Sequence, residues 1–418
     1  MDFSRPSNLG IVACPGAEVF SDDIVQSLKK YYARRHTKQV DLISDVYKLE
    51  KKEVEKKINL LMDIQNISLS ECPDVEKYRE PEFKVPVKYT RFANGEYKAE
   101  IKISVRGMDV YIIQDVENHY PIDINKDGKK YILSVNDHVF ILFATIDAAI
   151  QSGASSVSIV VPAYPYARQH KRKGREALTA ALFGRIIENM GVSRIITLDI
   201  HSKEIENCLN KCRMEDLHAS YQIIRTLLTF IDIEKTDLVI VAPDSGAVER
   251  NKFYAGNLTK PLAMLYKERD YSKVSSDAKA SNITSMRLLG NVKGKTVFMA
   301  DDMVGTGGTM IKAMQQLREL GADKVICAIS LPFFTGNAIK DFDDAYKKGY
   351  FDKIIGTNAV YHDDTLYGKE WYVNATISDL FARVISRLYQ QRTLTPLIDN
   401  SKIIQTLLKS PQSEQFYE

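Results

Sequence analysis

Short runs of apolar, largely β-branched residues recur along the chain, each followed by a stretch with helical spacing. Ile11-Val12-Ala13 is the first; Val110-Tyr111-Ile112-Ile113, Ser158-Ile159-Val160-Val161 and Arg194-Ile195-Ile196-Thr197-Leu198 follow. The second half repeats the theme at 238–242, 296–300, 325–329 and 353–355. Strands that stay apolar without alternation are covered on both faces, as parallel strands joined through helices are. The pattern predicts an α/β protein with two doubly wound parallel-sheet domains. Each half shows a strand, an acidic loop and a helix in succession, a step that points to duplication by pattern alone.

Two segments interrupt this rhythm and read as insertions. The first spans 38 to about 86. Val54, Ile58 and Leu61 fall on one helical stripe within dense charge, which predicts a solvated helix lying on the surface. The second, His119 to Tyr131, is rich in Asp, Asn, Gly and Lys and predicts a loop. The tail from Ser401 is polar after Leu408 and is expected to fray. Domains are expected at 1–215 and 216–385, with 386–418 returning to the first.

Composition narrows the class. The 418 residues are 44% hydrophobic and 27% charged, enough to fill two ordinary cores. A net charge of +3 gives no general pull towards nucleic acid or membrane, so any basic site must be local. Cys14, Cys72, Cys208, Cys212 and Cys327 are odd in number and lack a second Cys or His pair at metal-binding spacing. They read as reduced thiols of a cytoplasmic protein. No run reaches the length of a membrane span, and the first residues lack the apolar centre of a signal peptide.

The sharpest local chemistry lies at 297–310, where an apolar strand is expected to end in Asp301-Asp302. A loop of small residues follows, Gly305-Thr306-Gly307-Gly308-Thr309, and then a helix with Ile311, Met314 and Leu317 on one stripe and Gly321 as its stop. Glycines let backbone N–H groups approach a phosphate, and a helix N-terminus adds partial positive charge. The acids cannot serve the phosphate, but they can accept from vicinal sugar hydroxyls. The loop therefore suits a ribose 5-phosphate. A plain strand-to-helix turn is the bland alternative; paired acids beside four turn-permissive residues count against it. Gly294-Lys295-Thr296 is a decoy: position 289 is leucine, and the segment precedes a strand instead of following one, so no Walker-type loop is present.

The loop resembles the phosphoribosyl pyrophosphate (PRPP) motif shared by phosphoribosyltransferases and PRPP synthetases. Phe92-Ala93-Asn94-Gly95-Glu96, Ser104-Val105-Arg106-Gly107, Tyr166-Ala167-Arg168-Gln169, Asp199-Ile200-His201-Ser202, Pro243-Asp244-Ser245-Gly246 and Lys267-Glu268-Arg269 occur in the order typical of ribose-phosphate diphosphokinases. The likeness runs from about Leu9 to Leu397. It implies two domains of the phosphoribosyltransferase type and the transfer of pyrophosphate from Mg-ATP to ribose 5-phosphate.

By that resemblance Phe92, Asn94, Gly95 and Glu96 line the adenine pocket, and Arg168 and Gln169 contact the ATP phosphates. The physics suits the hairpin, since an aromatic ring stacks on a base while amide and carboxylate read its edge. A two-residue turn at Asn94-Gly95 is the structural alternative, compatible with the functional one. His201 and Asp244 match the family's metal contacts, with Mg²⁺ as the implied cofactor. Lys267 and Arg269 match the catalytic cations, and Arg269 also faces ribose 5-phosphate with Asp301, Asp302, Gly305, Thr306, Gly307, Gly308 and Thr309. The segment 270–281 reads as a loop able to close over the site. The family implies a homo-oligomer built from dimers, a hexamer, or a hetero-oligomer with sister subunits. No residue stands out as a general base. Two other readings stay open: a PRPP-consuming phosphoribosyltransferase, and a non-catalytic PRPP synthetase-associated subunit. The hairpin and Lys267/Arg269 oppose the first; the intact acid pair, His201, Lys267 and Arg269 oppose the second.

Overall fold

The computed structural model describes residues 9–57, 81–172, 174–269 and 283–409. These divide into two compact units. One holds the described residues up to Leu217 together with Ser378–Leu397; the other holds His218–Ile377 and the described residues from Ile398 on.

In the first unit, β1 (Leu9–Ala13) is followed by a hairpin of β2 (Val87–Arg91) and β3 (Tyr97–Ile101), then by β4 (Asp109–Ile113), β5 (Ser156–Val160), β6 (Arg194–Leu198) and β7 (Arg213–Leu217). A five-stranded sheet runs in the order β1-β4-β5-β6-β7 with every neighbour parallel. Val157, Ile159, Val160, Ile195, Ile196 and Leu198 are all buried, as unalternated apolar runs require. The helix Glu18–Tyr47 turns Phe20, Ile24, Leu28 and Tyr32 inwards at a spacing of four. Phe20 meets Phe381 edge-on at 5.3 Å between ring centroids, and the Tyr31 hydroxyl donates to the Asp379 carboxylate. The segment that returns to the first unit therefore starts at Ser378 and ends at Leu397, earlier at both ends than the expected 386–418. The cause is the apolar stripe of helix Ser378–Tyr389, which buries Leu380, Phe381, Val384 and Ile385.

The expected insertion from residue 38 also begins differently. Residues 38–47 continue the helix that starts at Glu18, and a second helix, Lys51–Lys57, buries Val54 completely. Ile58 and Leu61 lie outside the described residues. The 119–131 segment forms a loop without helix or ladder, closed by a single bridge between Ile122 and Tyr131.

The second unit contains β8 (Leu238–Ala242), β9 (Leu262–Arg269), β10 (Ile283–Leu289), β11 (Thr296–Val304), β12 (Lys324–Pro332), β13 (Lys353–Thr357) and β14 (Tyr372–Ala375). Its sheet runs β10-β9-β8-β11-β12-β13-β14 and is parallel except for β10. Chain order thus proceeds one way from β8 and the other way from β11. Such a reversal opens a crevice at the carboxyl ends of the two strands, where α/β sheets take their ligands. Here the opening is visible in the ladder: β8 pairs with β11 only from Leu238 to Ile240, then stays with β9 up to Ala242. Phe342 stacks on Trp371 at 5.7 Å in a core that also holds Phe334 and Phe351. Among the described residues, no helix is long and apolar enough to cross a membrane.

Candidate active site

The first unit carries the nucleotide-type motifs. The β2–β3 connection is not the two-residue turn expected from Asn94-Gly95. The Phe92 N–H donates to Glu96 O at 2.8 Å, and the Gly95 N–H returns to Phe92 O at 3.0 Å. Ala93 and Asn94 are therefore the central turn residues, and Gly95, at φ 95°, takes the left-handed position of a three-residue loop. A side chain there would be strained. The Asn94 side-chain oxygen accepts from the Glu96 N–H at 3.2 Å, and the residue is exposed. Phe92 is 46% exposed, leaving its ring open for a stacking partner. Just after the turn, Tyr97 donates to Asp137, the residue that closes a capping box with Ser134 on helix Val135–Gln151.

Two more loops rise from the carboxyl ends of β5 and β6. Tyr166 and Asp199 hold positive φ values of 59° and 44°, a conformation costly for side chains of this kind. After Tyr166, Arg168 and Gln169 are exposed. His170, next in line, meets His201 edge-on at 5.2 Å, and Lys171 lies 3.4 Å from Glu204. The Arg168–Lys171 loop and the His201 loop thus sit together in this unit. One residue that sequence reasoning missed is Glu117, in the turn after β4. Burial pushes its carboxyl up to about 7, and only the charge of Arg168 opposes this. No motif advertises Glu117; its proximity to Arg168 arises from the packing of two distant loops.

The second unit carries the sugar-phosphate motif. β11 extends to Val304, so the strand expected to end in Asp301-Asp302 runs on past that pair. The strand continues because β12 pairs with β11 as far as Val304. Burial, then the charge and hydrogen bond of Asp302, then the charge of Asp244 raise the Asp301 carboxyl to about 7. Three carboxylates therefore stand close enough to repel one another. Asp244 follows β8, across the opening, and its Oδ1 accepts from the N–H groups of Gly246 (3.0 Å) and Ala247 (3.2 Å).

A buried amide, also missed in the sequence, joins the two sides. Asn251 on helix Val248–Leu258 donates from Nδ2 to Ala300 O and accepts at Oδ1 from the Ala300 N–H, at 2.8 and 2.9 Å. Its Nδ2 also reaches Ala247 O at 2.8 Å. Ala300 lies beyond the point where β8 leaves β11, so the carboxamide takes the place of a missing strand peptide. The acid pair is thereby fixed from the residue just before it.

Past Val304, Gly307 adopts φ 76° as the N-cap of helix Gly308–Glu319, and a Cβ there would lie 2.3 Å from the Phe342 ring. Thr306, Gly308 and Thr309 are exposed, and a Cβ on Gly308 would meet nothing within 4 Å. The turn is thus backed by the Phe342 ring at Gly307 and open at Gly308, at the start of a helix, a kind of terminus that suits an anion. Lys267 and Arg269 lie in β9, with backbone register to Met286 and Ile283. The expected closing loop, 270–281, is outside the described residues. Among the described residues, no three His, Cys, Asp or Glu side chains gather in metal-ligating geometry.

A reversed parallel sheet with an acid pair and a glycine-led helix start at the reversal defines a phosphoribosyltransferase-type domain. In agreement, residues 213–365 match the family model of the phosphoribosyl transferase domain. Residues 68–191 match the N-terminal domain of ribose phosphate pyrophosphokinase. Ribose-phosphate pyrophosphokinase A of Dictyostelium discoideum is 31% identical over 313 residues, covering 75% of this chain and 89% of that protein. The ribose-phosphate pyrophosphokinase of Bacillus subtilis (strain 168) is 30% identical over 311 residues, covering 74% and 87%. A crystal structure of phosphoribosylpyrophosphate synthetase from Mycobacterium smegmatis shares the fold, with a TM-score of 0.66 at 24% identity over 92% of this chain and 100% of that one. The chain belongs to the ribose-phosphate pyrophosphokinase family.

Proposed function

We propose that this chain transfers the pyrophosphoryl group of Mg-ATP to the 1-hydroxyl of ribose 5-phosphate, giving PRPP and AMP. The observation that carries the reading is the placement of Asp301-Asp302 and the Gly307-led helix start at the β8/β11 reversal of the second unit. There the acids accept from ribose hydroxyls while the N–H groups of 305–309 take the 5-phosphate. In the first unit, Phe92 stacks on adenine, Asn94 and Glu96 read its edge, and Arg168 and Gln169 take up the phosphates.

The 1-hydroxyl oxygen attacks the β-phosphorus in line and loses its proton to water, and the bond from that phosphorus to the oxygen bridging to the α-phosphate breaks. AMP leaves with that oxygen. Little covalent chemistry is asked of the protein, whose main work is positioning and charge stabilisation. Lys267 and Arg269 supply cations to the oxygens on which charge grows.

The Asp244 carboxylate supplies the kind of donor a divalent cation takes, since oxygen donors suit Mg²⁺, which is characteristically held through substrate phosphates. His201 and Asp244 are the residues assigned to it, and it would neutralise phosphate charge when bound. The same reading takes the protein as cytoplasmic and as a homo-oligomer built from dimers, with sister subunits as further partners.

Lys267→Ala and Arg269→Ala are expected to cut turnover by about a hundredfold or more while ATP binding survives. AMP release and calorimetric ATP binding measure the two. Near-normal AMP production by either variant would remove both residues from the catalytic role.

A further inference from the structure

The loop 119–131 is not used by the chemistry above, yet it is built onto the tip end of the β2–β3 hairpin. Asn125 exchanges two hydrogen bonds with the Arg91 peptide: the Arg91 N–H donates to Asn125 Oδ1 at 2.7 Å, and Asn125 Nδ2 donates to Arg91 O at 3.1 Å. Arg91 immediately precedes the Phe92–Glu96 turn. Its guanidinium lies 4.3 Å from the centroid of the Tyr131 ring, a cation–π contact from the other end of the same loop. The loop is itself closed. Ile122 and Tyr131 exchange backbone hydrogen bonds at 2.9 Å in both directions. Within it, the Asp123 carboxylate accepts from the N–H groups of Asp127 and Gly128.

A two-stranded hairpin alone is marginal in water, and its tip is the part least held. Here a carboxamide does what a third strand's peptide would do, at the one position that sets the direction of the tip. We infer that the 119–131 loop is a positioning clamp for the hairpin, with Asn125 as its key residue, and that it sets affinity and base selectivity for the purine nucleotide. This inference rests on the proposal that Phe92–Glu96 reads adenine. Preorganising a recognition loop acts on binding and leaves the chemical step alone.

The test uses the full chain with Asn125→Ala and Asn125→Asp; the aspartate keeps the acceptor and loses the donor. AMP release is measured with ATP varied at saturating ribose 5-phosphate, then the reverse, and with GTP in place of ATP. The expected result is a KM for ATP raised by about tenfold and weaker discrimination against GTP. The kcat and the KM for ribose 5-phosphate should stay within about twofold, since Asn125 touches neither. Amide hydrogen exchange at residues 92–96 should accelerate in both variants. Unchanged exchange together with an unchanged KM for ATP would overturn the clamp. So would an equal rise in both KM values, which is the mark of general destabilisation. A wild-type chain that releases no AMP would instead sink the proposed function, and the exchange measurement would still decide the clamp.

Discussion

Burial, then the charges of Asp302 and Asp244, raise the Asp301 carboxyl from an ordinary 3.8 to about 7. Between those values the folded chain keeps a proton that the unfolded chain has released. The stability linked to this proton is present below the ordinary value and is lost as pH rises through about 7. Asp301→Asn removes the titration. It is expected to raise Tm in buffer alkaline of that value, to change Tm little in mildly acid buffer, and to weaken ribose 5-phosphate binding throughout. Thermal scans at two pH values read the first part; an equal Tm change at both would contradict the assigned repulsion. Asn251 acts in the opposite sense. Asn251→Ala leaves the Ala300 peptide unpaired inside the second unit and should cost about 2–4 kcal/mol in denaturant unfolding. Neither Asn251 nor Glu117 was legible in the sequence. Each owes its role to a partner far along the chain, and a lone amide or acid leaves no periodic trace.

At the scale of elements, the sequence was readable where burial is complete on both faces. Strands β4, β5, β6, β8 and β13 lie within a residue or two of the apolar runs that mark them. β7 and β14 were missed for one physical reason. Both are sheet-edge strands, and Arg-Met-Glu-Asp-Leu buries only its last residue fully while Tyr-Val-Asn-Ala mixes polar with apolar. The turn at 305–309 and the helix after it were legible because the glycines there answer local needs. The two central ones do so differently. Gly307→Ala forces a side chain into the left-handed region and against Phe342, and should cost about 2–4 kcal/mol in unfolding free energy. Gly308→Ala meets open space, so stability should stay within about 0.5 kcal/mol. On the proposed reading its methyl group would stand against the 5-phosphate, and the KM for ribose 5-phosphate should rise. Equal stability of the two variants would contradict the described turn.

At the scale of the whole molecule, two α/β units carry complementary parts of one proposed reaction. The first holds Phe92, Arg168 and His201 on its loops; the second holds the Asp301-Asp302 pair and the Gly307-led helix start at a sheet reversal. On the proposed reading, the acid pair does not separate PRPP synthesis from its consumption; the roles proposed for the hairpin, Lys267 and Arg269 favour synthesis, and so does membership in the pyrophosphokinase family. The most direct measurement incubates the purified chain with Mg-ATP and ribose 5-phosphate and follows AMP and PRPP together. Equimolar appearance of the two, abolished by omitting either substrate, is the expected result. Failure to form PRPP, or release of ADP in place of AMP, would contradict the proposed pyrophosphoryl transfer.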